Sequence, residues 1–202
     1  MSITAPAAPS DTVTDRAPRD VDNRSAYIAF GLAYVLGHGA AALSKVTEGG
    51  VPLLDLPGWL PMALLGTGLA SGSLLATLAA LRSQRGATGP AAVTAQLLGA
   101  AWAVAFGALF LFITGLSGIL DNPDLQTMLW PTGSGFVVGL LYVAEGAVRR
   151  NRLHYTLGIW LALTTTGALL FGTPGFYWVL TLAGGGAYAL AAGLEFRRIA
   201  TA

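Results

Sequence analysis

The sequence predicts an all-α integral membrane protein of six transmembrane helices, arranged as three hairpins with both termini in the cytoplasm (N-in/C-in). Three observations predict this fold class: the composition, the lengths of the uncharged segments, and the distribution of basic residues. Of 202 residues, 54% are hydrophobic and only 10% are charged, whereas a soluble globular protein is about 25% charged. We therefore expect much of the apolar surface to face lipid.

The uncharged segments have the lengths that transmembrane helices require. A helix needs about 20 apolar residues to cross the hydrocarbon core, and charged residues divide the chain into pieces of that size. A disordered cytoplasmic tail is expected over residues 1–25, which are rich in proline, aspartate, threonine and arginine. The membrane domain is expected over residues 26–198, with helices at about 26–46, 59–81, 92–118, 126–148, 153–171 and 175–196. The last two are separated by Gly-Thr-Pro-Gly at 172–175, because proline and glycine together favour a turn.

Basic residues predict the orientation. With six spans, ten of the 11 lysines and arginines lie on one side, and Lys45 is the exception. An excess of basic residues marks the cytoplasmic side, so we expect a multi-pass protein of the bacterial plasma (inner) membrane. Trp59, Trp130 and Trp178 stand at the outer starts of the even helices, where indole rings anchor at the lipid boundary. Their placement groups the helices into hairpins.

Several function classes are disfavoured by the composition. A net charge of +1 leaves no nucleic-acid footprint. The absence of cysteine excludes disulfides, thiol catalysis and cysteine metal sites. The sequence contains no zinc-protease, serine-hydrolase or Walker motif, and its short loops leave no room for a soluble catalytic domain. We expect no enzyme, no catalytic residue, no metal site and no cofactor.

His38 is the most prominent candidate functional residue. It lies about 12 residues into the first helix, or roughly 18 Å at 1.5 Å per residue, and therefore near mid-membrane. It is either a proton-sensitive or solute-contacting group, or a neutral histidine bonded to a neighbouring helix. His154 is expected at the cytoplasmic boundary, in a structural role. Because the two histidines differ in depth by about half a bilayer, they are not expected to clamp a haem.

Two glutamates lie within or near the ends of helices. Glu145 is four residues before Arg149, and Glu195 is three residues before Arg198, so each acid shares a helix face with a base. Each glutamate is either neutralised by its arginine or, in the case of Glu145, available for proton coupling.

Hydroxyl groups complete the set of candidates. Those of Thr67, Ser71 and Thr114 either line a polar pathway or bond to helix backbones. Glycine pairs four residues apart, at 68 and 72 and at 135 and 139, indicate close helix packing. The candidate transport pathway is therefore His38, Thr67, Ser71, Thr114 and Glu145.

Four stretches of the chain carry a family resemblance. They are the glycine-rich MALLGTGLASGS at 62–73, the basic loop ending in GATG at 86–89, LGIWLALTTTGALLFG at 157–172, and the glycine-rich last helix. In these stretches the chain resembles the bacterial acetate/succinate uptake transporters over about residues 23–198. The resemblance implies passage of small monocarboxylates with protons in a ring-shaped homo-oligomer. Of the family's Asn-Pro-Ala-Pro-Leu-Gly signature only the asparagine, Asn23, is present here, so no binding residue is carried over.

Three functional hypotheses follow. The first is a transporter or channel for a small solute, such as acetate or another weak acid. The second is a non-catalytic accessory or scaffolding subunit of a larger membrane complex. The third, a haem or quinone binder, rests on His38 with Trp102 and Trp160. The expected partners are the lipid bilayer, further copies of the chain or a membrane-complex partner, and a small-molecule substrate, but no nucleic acid.

Overall fold

The fold is helical throughout the part of the chain that the structure describes. A computed structural model describes residues 21–45 and 51–200, in which helices are joined by short connections and no strand occurs. The predicted all-helical class is confirmed. Most of the predicted tail, residues 1–20, lies outside the described residues.

Six helical elements follow one another along the chain. Helix α1 is Arg24–Ser44 and contains a π-helical segment at Ala33–His38. Helix α2 is Leu60–Ser83, α3 is Pro90–Ile119 and α4 is Asp124–Val148. Helix α5 is Arg152–Gly167, followed by a 3-10 turn at Ala168–Phe171. Helix α6 covers 172–200 and consists of Gly172–Val179, a π segment at Leu180–Gly184, and Gly185–Ala200.

Membrane character is confirmed by helix length and apolarity. Within the described ranges, five continuous helical stretches are long and apolar enough to cross a membrane: α1, α2, α3, α4 and the 49-residue stretch Arg152–Ala200. The last stretch is interrupted by non-helical backbone angles at Thr173 (φ −92°, ψ 133°). Its two halves pack against each other, and Trp160 Nε1 donates a hydrogen bond to the carbonyl of Ala183 at 2.9 Å. These residues would be about 35 Å apart in a straight helix, so the chain reverses between them.

Helix α1 lies at the centre of the molecule. It packs against α2 on one side and α6 on the other, while α5 packs against both α4 and α6, and α3 packs mainly against α4. In α1, 61% of the apolar span is buried, against 6% in α2 and 6% in α3. Helices α2 and α3 are therefore peripheral, and most of their apolar side chains are exposed, although Leu109 and Ile113 of α3 are buried.

Glycine allows close helix contacts at the predicted positions. A Cβ atom on Gly139 of α4 would lie 2.5 Å from the backbone nitrogen of Ala162 on α5, and one on Gly68 of α2 would lie 2.8 Å from Ala33 Cα on α1. Neither contact leaves room for a side chain, which confirms the packing interpretation of the glycine pairs.

Hydrogen bonds join the start of α1 to the end of α6. The backbone N–H of Asn23 donates to Glu195 Oε1 at 3.1 Å, and Arg198 Nη2 donates to the carbonyl of Val21 at 2.8 Å. Arg198 Nε also donates to Glu195 Oε2 at 2.7 Å, so the predicted pairing of these two residues is confirmed. Glu195 is fully buried. It supplies an acceptor for a helix N-terminus whose own first turn carries no acidic residue.

Candidate functional site

A cavity of about 790 Å³ lies between α2, α3 and α4, near the end of the bundle where α1 begins. Glu145, Arg149 and His154 contribute charged or titratable groups to its lining, and the side chains of Ser73 and Thr77 contribute hydroxyls. The rest of the wall combines alanine, leucine and aromatic side chains with further polar ones, namely Asn23, Gln84, Thr94, Gln96 and Asn151. This volume lies within the range of about 300–1,000 Å³ that is typical of small-molecule pockets.

Glu145 is held by residues of two neighbouring helices. Trp102 Nε1 of α3 donates a hydrogen bond to Glu145 Oε1 at 2.7 Å, and Glu145 Oε2 lies 3.4 Å from His154 Nε2 of α5. The sequence predicted that Glu145 is either neutralised by Arg149 or available for proton coupling; in the structure its carboxylate oxygens contact Trp102 and His154, and Arg149 acts on it electrostatically from the same helix. In the described structure the Nε of Arg149 is buried without a hydrogen-bond partner. Arg149 is the C-cap of α4 and keeps helical backbone angles, and its N–H donates to the Glu145 carbonyl at 2.8 Å, so the two residues stay on one helix face while the Glu145 carboxylate contacts Trp102 and His154.

Tyr27 determines the tautomer of His154. The Tyr27 hydroxyl and His154 Nδ1 are 2.6 Å apart, and both side chains are almost completely buried. A buried tyrosine hydroxyl needs an acceptor, and Nδ1 is the acceptor that the described residues provide. We infer that Tyr27 donates, so the neutral imidazole carries its proton on Nε2, facing Glu145 and the cavity.

Aromatic rings surround this hydrogen-bonded chain. The Tyr142 ring lies 4.0 Å from the His154 ring between centroids, and Trp102 lies 6.0 Å from Tyr142 in an edge-on arrangement. Both rings line the cavity together with Phe30 of α1. The hydrogen-bonded chain is therefore flanked by aromatic rings, and partial burial strengthens its polar contacts.

His38 is in the core and does not line the cavity. It is 2% exposed and lies in the π segment of α1, where its ring is 4.9 Å from the Tyr34 ring and 6.1 Å from the Tyr177 ring. Tyr27, the partner of His154, precedes His38 by 11 residues on the same helix. The two histidines are thus separated by about 16 Å along α1.

The structure does not bring the five predicted pathway residues together. Thr67 and Ser71 of α2 and Thr114 of α3 are exposed and are not among the residues that line the cavity. Of the predicted set, Glu145 alone is among the residues that line the cavity, whereas His38 lies in the core. The hydroxyls that do line it on α2 belong to Ser73 and Thr77.

The sequence interpretation missed the partners of Glu145, although one signal was present. Glu145 lies one turn before the end of α4, and His154 lies in the first turn of α5. Consecutive antiparallel helices place such residues at the same depth, so their proximity follows from the predicted topology. Tyr27 and Trp102 had no such signal, because the rotation of α1 and α3 about their axes depends on packing.

The aromatic residues of the cofactor hypothesis are also separated. Trp102 lines the large cavity, Trp160 lines an apolar groove of about 410 Å³ between α5 and α6, and His38 lines neither. Within the described ranges, no group of three or more histidine, aspartate or glutamate residues is arranged to hold a metal ion.

Comparisons with protein-family models, curated proteins and solved structures find no match to this chain. The fold and the site define it as a helical membrane protein with a partly polar cavity between its helices. Its function is therefore argued from that site.

Proposed function

We propose that this chain is a multi-pass transporter or channel for a small solute, and that the 790 Å³ cavity is its binding chamber. The observation that carries the proposal is Glu145, a carboxylate in the wall of a cavity between membrane helices. Ionisable groups within membrane helices are costly and typically mark solute or proton pathways, and Glu145 lies one turn inside the end of α4. Trp102 donates a hydrogen bond to Glu145, and His154 Nε2 lies at ion-pair distance from it, so the position of the carboxylate is defined.

The proposed topology has six crossings with both termini in the cytoplasm of a bacterial cell. The reversal of the chain within Arg152–Ala200 supports division of that stretch into two crossings. One hydrogen bond joins Asn23 to Glu195, and another joins Tyr27 to His154. These two hydrogen bonds support placing the starts of α1 and α5 and the end of α6 on one side. These are the ends that carry arginines, as the positive-inside rule requires of a cytoplasmic face.

The proposed solute is a weak acid, with acetate as the smallest case. Arg149 and His154 supply donors for an acidic group, and Glu145 can exchange a proton with it. Acetate would fill only a small part of the chamber, so larger acids belong in the test.

Uptake into proteoliposomes tests this proposal. Purified protein is reconstituted, and uptake of radiolabelled acetate, propionate and benzoate is measured with an inward proton gradient. We expect uptake above that of empty vesicles, and a loss of at least about tenfold in Glu145→Gln. Asp55→Asn, a matched change at an exposed acid near the opposite end of the bundle, should behave as wild type. Uptake no greater than in empty vesicles for all three acids would refute the transport proposal.

A second candidate, an accessory subunit of a membrane complex, is favoured by the outward faces of α2 and α3. Large apolar side chains there are exposed, among them Met62, Val104 and Leu111, each about 70% exposed. Lipid, further copies of this chain or a different protein can cover such a face. Purification by an affinity tag in mild detergent distinguishes these cases. A homo-oligomer without a stoichiometric partner favours the transporter, whereas a co-purifying partner in fixed ratio favours the subunit.

A further inference from the structure

Two buried donors without acceptors line the cavity. Among the described residues, Arg149 Nε and His154 Nε2 are the buried side-chain nitrogen atoms that have no hydrogen-bond partner. His154 is 4% exposed, and the Tyr27 hydroxyl on its other nitrogen keeps the Nε2 proton directed toward the cavity side of the ring. Glu145 Oε2 is 3.4 Å from this nitrogen but does not meet hydrogen-bond geometry. Because buried donors are rarely left unpaired, the site is suited to a ligand that brings an acceptor.

The charges around these donors restrict which acceptor fits. Arg149 carries a permanent positive charge, but the carboxylate of Glu145 lies beside His154 and would repel an anion that kept its charge. A carboxylic acid that enters with its proton avoids this repulsion. Its carbonyl oxygen accepts from the two donors, and its hydroxyl donates to Glu145.

We infer that the cavity binds an apolar-bodied monocarboxylic acid, with Arg149 and His154 holding its carboxyl group and Glu145 taking its proton. This inference rests on the proposed function, in that it names the class of solute that the chamber accepts. In the transfer, the O–H bond of the solute breaks and an O–H bond forms on a Glu145 carboxylate oxygen. The solute becomes a carboxylate paired with the Arg149 guanidinium, and the total charge of the site is unchanged.

The wall of the cavity suits a ring or a branched chain. Phe30, Trp102 and Tyr142 present aromatic surfaces, and α2 and α3 add alanine and leucine side chains together with a smaller number of hydroxyl and amide groups. With about 790 Å³ available, an arene carboxylic acid buries far more apolar surface than acetate does. Benzoate is therefore expected to bind more tightly than acetate.

The other titratable groups near Glu145 come from three helices. Helix α3 contributes Trp102, which donates a hydrogen bond to Glu145 and does not titrate. The titratable or charged side chains around Glu145 are Tyr27 on α1, Tyr142 on α4, Arg149 at the end of α4, and His154 on α5. In the proposed complex, Arg149 and His154 lie against the carboxyl group of the solute, and Glu145 lies against its proton.

Equilibrium binding of radiolabelled benzoate to the full chain in lipid nanodiscs tests the site. We expect Arg149→Gln to weaken binding at least tenfold. Arg150→Gln removes the same charge from the neighbouring exposed position, which does not line the cavity, and should change binding less than twofold. Benzamide has the same ring but lacks the acidic proton, and it should bind at least tenfold more weakly than benzoate. Equal binding by the two arginine variants, or equal binding of benzamide and benzoate, would overturn the assignment.

The proton transfer has its own measurement. Benzoate is an anion in solution at pH 7.5, so forming the complex with Glu145 protonated takes up about one proton from the buffer per ligand bound. Isothermal titration calorimetry in buffers of different ionisation enthalpy measures this number. We expect about one proton for wild type and none for Glu145→Gln. An unchanged number in Glu145→Gln would contradict the role of that residue.

Failure of this inference is distinguishable from failure of the transport proposal. Benzoate binding without uptake of any acid refutes transport and leaves the binding site standing. Uptake of acetate without benzoate binding overturns the inferred solute class and leaves transport standing. If Arg149→Gln does not fold, as judged by gel filtration and thermal unfolding, the comparison of benzoate, benzamide and acetate on wild-type protein decides the solute class.

Discussion

Replacement of Glu195 by alanine should destabilise the fold by removing the acceptor that joins α6 to the start of α1. Glu195 is fully buried and accepts hydrogen bonds from the Asn23 backbone N–H at 3.1 Å and from Arg198 Nε at 2.7 Å. Leaving the Asn23 N–H without an acceptor costs about 1–3 kcal/mol. The Arg198 side chain is 25% exposed and keeps its bond to the Val21 carbonyl, so its loss adds at most about 1 kcal/mol. The sum is about 1–4 kcal/mol.

Thermal unfolding in nanodiscs, followed by tryptophan fluorescence, measures this effect. For a chain of this length a loss of 1 kcal/mol lowers Tm by about 2–4 °C, so a central value of about 2.5 kcal/mol corresponds to a fall of about 5–10 °C. The control is Asp55→Ala, which removes an acid from an exposed position and should shift Tm by about 2 °C or less. Equal Tm values for the two variants would show that Glu195 does not support α1 in this way.

Two further predictions concern packing and pH. Gly139→Ala should destabilise the contact between α4 and α5 by about 1–3 kcal/mol, because its Cβ would lie 2.5 Å from the Ala162 backbone. The control is Gly186→Ala, where a Cβ meets open space. This variant should be neutral or stabilising in the same thermal assay. Hydrogen bonds from Arg24 hold the pKa of the Asp22 carboxyl below its usual value of 3.8, so its stabilisation is present at neutral pH and is lost as pH falls through the folded-state pKa. Asp22→Asn should lower Tm slightly at pH 7, since the acid is 44% exposed, and should match wild type in acid; a difference that persists in acid would contradict this cause.

The candidate site shows where sequence reasoning succeeds and where it stops. Glu145 could be predicted because a carboxylate near membrane depth is conspicuous in a chain that is only 10% charged. Thr67, Ser71 and Thr114 are predicted with equal reason, yet they do not line the cavity. Small and hydroxyl-bearing residues occur on every side of α2 and α3, so their periodicity does not indicate which face meets the cavity.

The structure reverses the expected roles of the two histidines. His154, expected to be structural, lines the cavity, whereas His38, the main functional candidate, lies in the core. Position along a helix predicts that the two histidines lie far apart, but it does not predict which side chains surround each of them. The rings of Tyr34 and Tyr177 surround His38 in the core. His154 has a polar partner at each ring nitrogen, Tyr27 and Glu145, at the edge of the cavity. The difference depends on side chains contributed by other helices.

The sequence by itself determined the class of this protein: an apolar helical chain, charged at its ends and connections, with glycines at the positions where helices meet. These properties are local, because a run of about 20 apolar residues forms a helix in lipid whatever surrounds it. The tertiary structure alone decided that Trp102, His154 and Tyr27 converge on Glu145, and that a cavity of about 790 Å³ lies beside them. The rotation of each helix about its axis selects these contacts, and it results from the packing of all the helices together.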